Sequence, residues 1–146
     1  FDQLAEASSQ ADSIAIMQKQ YLDEASAYFE KFLELRNFTA EEYVDKIDRY
    51  PKFWRSIRRL TENIVNRKPA IAAIFKTFRD SFPDYDQPNV CFAIGSLRTG
   101  GTTSKDLILI GAEIAASTPA VDKSEMRGWL ASVIGNSGDI LSMIAH

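Results

Sequence analysis

What this chain lacks narrows its chemistry before any motif is read. It holds one cysteine, Cys91, and one histidine, His146, in 146 residues. A lone thiol rules out an internal disulfide, and one imidazole is not a zinc site. A basic excess is also missing: 17 Lys and Arg stand against 20 Asp and Glu, a formal charge of −3. With no basic arm either, the composition argues against nucleic acid as a partner. No apolar run approaches the roughly 18 residues of a membrane span. The first residues lack the cationic leader of a signal peptide, since Phe1 stands where an initiator methionine would and Asp2, Glu6 and Asp12 follow; the start reads as a processed or engineered one.

What is present is apolar residue in quantity, 45% of the chain, enough for one core in a single domain. Across residues 12–35, Ile14, Met17, Tyr21, Tyr28, Phe29, Phe32 and Leu35 recur at three or four, with charged residues between. This spacing predicts one long amphipathic helix. Thr39 followed by Glu42 forms a capping box, so a short second helix should start at Ala40 and stop before Pro51, where the imino ring opposes continuation. Phe53, Trp54, Ile57, Leu60 and Ile64 make the stripe of a third helix. Its other side carries Lys52, Arg55, Arg58 and Arg59, read as a solvated flank paired with acidic neighbours. Pro69 opens a fourth helix bearing Ile71, Ile74, Phe75 and Phe78, and the chain turns at residues 82–84.

Residues 89–113, NVCFAIGSLRTGGTTSKDLILIGAE, change character. Residues 89–94 and Leu107, Ile108, Leu109 and Ile110 are short runs apolar on both faces, separated by a polar, glycine-containing segment. They predict a buried β-hairpin. Arg98 to Lys105 holds the ingredients of a phosphate loop without its order, because no glycine directly precedes Lys105 and a strand follows it. Gly100, Gly101 and Thr102 are therefore read as hairpin turn, the glycines at positive φ and the hydroxyls on local backbone groups.

Residues 117–119 read as loop. Met126, Trp129, Leu130, Val133 and Ile134 then make a helical stripe, capped by Ser124 or Asp122 and closed by Gly135. A last helix carries Ile140, Leu141, Ile144 and Ala145 and runs off the chain at His146. Cys91 and His146 are a poor nucleophile pair, since Cys91 lies in a strand that reads as buried. Adjacent acids such as Asp23-Glu24 and Glu41-Glu42 diverge around a helix and serve solvation and capping. The fold class expected is mainly α with a small β-hairpin, an α+β arrangement with a helical layer on a short sheet. Residues 1–88 form its helical part, 89–113 the hairpin and 124–146 the C-terminal helices.

The segments YPKFWRSIRRL, FPDY, SLRTGGTTSKDLILIGAE and DILSMIAH together resemble a bacterial family of predicted zinc-dependent proteases, gluzincin-like and related to the gliding-motility lipoproteins of the cell envelope. The resemblance runs from about Tyr50 onward. In that family the final helix bears an H-E-x-x-H motif, and its first histidine matches His146. Two histidines four apart project from one helix face to hold zinc, and the glutamate beside the first serves as general base. The glutamate, the second histidine and the third ligand are not in this sequence.

The resemblance implies an N-terminal, zincin-like portion of an envelope or periplasmic metallopeptidase, lipid-anchored in the intact parent. His146 would be the first zinc ligand there, and these 146 residues would hold no cofactor and be inactive by themselves. Substrate would be a peptide or protein, for which the strand Leu107 to Ile110 either offers an edge or lies behind one. The alternative is a non-catalytic helical module that binds a protein or envelope partner. Either way, a final apolar helix without its neighbours is expected to drive self-association.

Overall fold

The computed structural model describes residues 2–136 and 138–145. The fold is mainly helical with a small mixed sheet. After a 3-10 turn at Asp2–Glu6 come α1 (Gln10–Met17), a π-helical turn (Gln18–Leu22), α2 (Ala27–Arg36), α3 (Ala40–Arg49) and α4 (Pro51–Glu62). A 3-10 turn at Asn63–Arg67 leads into α5 (Lys68–Ser81). The strands β1 (Asn89–Ala93), β2 (Gly101–Ser104) and β3 (Leu107–Gly111) follow, then α6 (Ala112–Ala115), α7 (Gly128–Val133) and α8 (Ile140–Ala145).

The long helix expected over residues 12–35 is instead two helices. The π turn widens the end of α1, and Ser26 starts α2 afresh by accepting the Phe29 amide on its hydroxyl at 3.3 Å. Leu22 before the break and Phe29 after it both enter the core. The capping box at Thr39 is half formed. Its hydroxyl accepts from Glu42 N at 3.3 Å, while the Glu42 carboxylate pairs with Arg98 at 3.1 Å. Arg58 of the basic flank is engaged by Asp2 and Glu62.

The sheet corrects the hairpin expectation. Its order is β1-β3-β2, with β1 parallel to β3 and β2 antiparallel to β3. The hairpin is made instead by β2, which lies inside the segment read as loop, and β3: they are joined through Lys105 and Asp106, and Lys105 takes φ 31°, as primed hairpin turns require of their first central residue. Alternation along β3 is real and two-sided. Leu107 and Leu109 enter a cluster with Phe29, Phe32, Tyr43 and Val44. Ile108 and Ile110 face Ile71, Phe75, Ile140 and Ile144. Helices therefore cover both faces of the sheet, not one, and this is why β3 is apolar at every position.

A third cluster joins Phe53, Trp54 and Ile57 of α4 to Leu97, Ile114, Val121, Met126 and Ile134. The α4 N-terminus, which lacks a local side-chain cap, is covered from this side: Glu125 accepts the Lys52 amide at 2.9 Å and the Phe53 amide at 3.4 Å. In front of α7, Asp122 bonds Ser124 without capping the helix, which begins only at Gly128. Gly135, at φ 77°, does close it. Ile140 and Ile144 of α8 are buried within the chain, and Leu141 between them is half-buried.

Candidate functional site

Because β3 lies between β1 and β2, the chain leaving β1 must cross the end of β3 to reach β2. Residues 94–100 make this crossing, and the polar chemistry of the protein gathers on them. At the entrance, Tyr43 donates to Ile94 O at 2.6 Å, and Ile94 N donates to the Tyr21 hydroxyl at 2.9 Å. Burial pushes both phenols far above their ordinary pKa, so they remain neutral hydrogen-bonding groups.

The next three residues turn on a buried acid. Glu113 is fully buried, and its carboxylate accepts from Gly95 N at 2.9 Å and Leu97 N at 2.8 Å. Ser96 and Leu97 sit at φ 52° and 57°, the left-handed region, which costs a residue bearing a Cβ roughly 1–2 kcal/mol. The turn through this left-handed pair brings the amides of Gly95 and Leu97, one on each side of Ser96, onto the same buried carboxyl group. Burial raises the Glu113 pKa from 4.5 to about 7, against the backbone amides of Gly95, Glu113 and Leu97, which lower it. Between the two donors, the Ser96 hydroxyl is buried with no hydrogen-bond partner among the described residues.

The exit is held from the other side. Arg36 reaches Thr99 Oγ1 at 3.2 Å and Gly101 O at 3.4 Å, while Arg98 donates to Arg36 O at 2.9 Å. Where the crossing passes over β3, Gly111 makes room, since a Cβ there would stand 2.0 Å from Thr99 O. Gly100 lies against α8, where an added Cβ would meet Met143 Cε at 3.1 Å.

Two corrections follow for the residues singled out in sequence. Gly100 and Gly101 do not take positive φ; Ser96, Leu97 and Lys105 do. Gly100, Gly101 and Thr102 end the crossing and begin β2, with the Thr99 hydroxyl donating to Gly101 O at 2.8 Å. Leu107, Ile108, Leu109 and Ile110 lie in the middle strand with both edges paired, so an open edge on this side belongs to β2. Gly111 N donates to Gly100 O at 3.0 Å, and the antiparallel alternation then turns the backbone groups of Gly101 and Thr103 outward. Beside this edge is a groove of about 300 Å³ bordered by Phe78, Tyr85, Thr103, Lys105, Met143 and Ala145.

Cys91 is half-buried and its thiol pKa is raised by burial, the opposite of what a thiolate nucleophile needs. His146 lies outside the described residues. Among the described residues no group of three or more His, Cys, Asp and Glu is placed to hold a metal ion, and no helix is long and apolar enough to cross a membrane. Glu113 escaped notice in the sequence, although a single acid inside LILIGAEIAAS is the signal that marks it. Scans against protein-family models, curated proteins and solved structures return no match for this chain.

Proposed function

We propose that this chain is the N-terminal portion of a zinc metallopeptidase-like protein of the bacterial cell envelope, contributing scaffold and substrate alignment while the metal chemistry resides in the intact parent. The observation that carries the reading is the open edge of β2 beside α8. An extended peptide can add to such an edge through main-chain hydrogen bonds, and the outward backbone groups of Thr103 are available to it. The groove alongside is bordered by Met143 and Ala145 of α8, the helix that leads to His146.

In this reading His146 supplies the first zinc ligand, and zinc would polarise the scissile carbonyl and activate water. The described residues do not amount to a metal site. A non-catalytic partner-binding module is the competing outcome of the test. The coding sequence beyond His146 should continue with glutamate and place a histidine at the fourth position. In the intact parent, His146→Ala should then lose bound zinc, measured by metal analysis of the purified protein. Full zinc content in that variant, or a different continuation, would overturn the peptidase reading.

A further inference from the structure

The crossing over β3 combines features that rarely coincide without consequence. A carboxyl group is shut in the core, two consecutive non-glycine residues are held in the left-handed region, and a buried hydroxyl between them has no partner among the described residues. Left-handed strain persists only when surrounding contacts impose it. Here the restraint comes from Glu113, whose ionised form is the one that burial penalises most.

The other titratable groups around the crossing do not relieve that penalty. Tyr21 from the π turn and Tyr43 from α3 both feel the Glu113 charge unfavourably, and both already bond the Ile94 backbone. Cys91 on β1 adds to the same effect on Tyr21. Arg98 is paired with Glu42, Arg36 with the Thr99 hydroxyl and Gly101 O, and Arg58 of α4 with Asp2 and Glu62. Among the described residues no cation donates to the Glu113 oxygens, which take the amides of Gly95 and Leu97.

We propose that Glu113 is a proton-controlled latch on residues 94–100: neutral, it keeps the crossing closed over β3, and on ionising it favours an opening in which water reaches the carboxylate and the left-handed pair relaxes. The sign follows from linkage. The closed state holds the Glu113 proton up to about pH 7, whereas an opened, hydrated carboxyl releases it near 4.5. Between those values the closed state binds more protons, so opening becomes easier as pH rises and levels off above neutrality. Since Gly111 N bonds Gly100 O and Arg36 bonds Gly101 O, loosening the crossing loosens the start of β2. The latch would operate whatever the protein binds, and does not depend on the peptidase reading.

Amide hydrogen exchange on the full chain by NMR, from pH 4.5 to 8 and corrected for intrinsic rates, tests this. Protection of the Gly95, Leu97 and Gly111 amides should fall about tenfold per pH unit from about 5 to 6.5 and then plateau. It should also be lower than that of the slowest helix amides, which marks the opening as local. In Glu113→Gln the dependence should vanish. Protection independent of pH in the native chain would overturn the latch, as would exchange of these amides only together with the slowest ones. Should Glu113→Gln fail to fold, the side-chain carboxyl ¹³C shift of Glu113 decides in the native protein. An inflection near 7 supports the latch, and one at the ordinary carboxylate value overturns it.

Discussion

Ser96 carries two liabilities at one position. Its side chain occupies a left-handed backbone region, and its hydroxyl is buried without a hydrogen-bond partner among the described residues. Glycine removes both, because it adopts positive φ without a Cβ penalty and leaves no polar atom to desolvate. Ser96→Gly should stabilise the protein by about 1 kcal/mol, read as a higher urea midpoint at unchanged slope. A lower midpoint would mean that the hydroxyl has a role the contacts do not display. Glu113 is the complementary case, an acid that belongs where it is because the turn it organises has amide donors to offer. A sequence reader could notice one acid in an apolar run. Which amides it serves depends on a turn sixteen to eighteen positions earlier, and nothing in local spacing specifies that.

At the scale of elements, the strands were legible and their pairing was not. Runs apolar on both faces announce buried strands, and β1 and β3 are where those runs lie. Proximity in sequence suggested that they pair as a hairpin, yet they are parallel neighbours with β2 on the far side of β3. The polar, hydroxyl-rich β2 resembles a turn because its outer edge faces away from the sheet and it carries no apolar alternation. The crossing that this topology demands makes Gly111 irreplaceable. Gly111→Ala places a methyl 2.0 Å from Thr99 O and should cost about 3 kcal/mol or more, since backbone on both sides of the clash is fixed. Gly128→Ala is the control. That glycine sits at φ 59° with nothing within 4 Å of an added Cβ, so only the left-handed penalty of about 1 kcal/mol applies. Equal denaturation midpoints for the two variants would contradict the close approach over β3.

For the whole molecule, the buried acid makes stability depend on pH in a direction opposite to most carboxylates. The folded chain retains the Glu113 proton to about 7 and the unfolded chain releases it near 4.5. Between these values the folded state binds more protons, and stability falls as pH rises. The decline should be on the order of 3 kcal/mol between pH 4.5 and pH 7, measured by urea denaturation, and should be absent in Glu113→Gln. Asp2, Asp12, Asp45 and Asp122 have pKa values lowered by their hydrogen bonds, joined for all but Asp12 by nearby cations, so what they contribute is lost only on acidifying below 3.8 and does not mask this window. A stability that rises from pH 4.5 to 7 by the same amount in both proteins would remove Glu113 as its cause.

By itself the sequence determined a mainly helical chain with a small buried sheet, the start of α3 at Thr39, the breaks at Pro51 and Gly135, and the acidic balance that disfavours nucleic acid. These are local matters, set by side-chain period, backbone restriction and charge count. Tertiary structure decided that helices cover both faces of the sheet, that β3 is the middle strand, and that α8 buries its own isoleucines. It alone decided that a glutamate after β3 holds a left-handed turn after β1. The physical reason is that pairing order, burial of a charge and the room left by a missing Cβ depend on which distant segments meet, and periodicity along one segment carries no information about its partner.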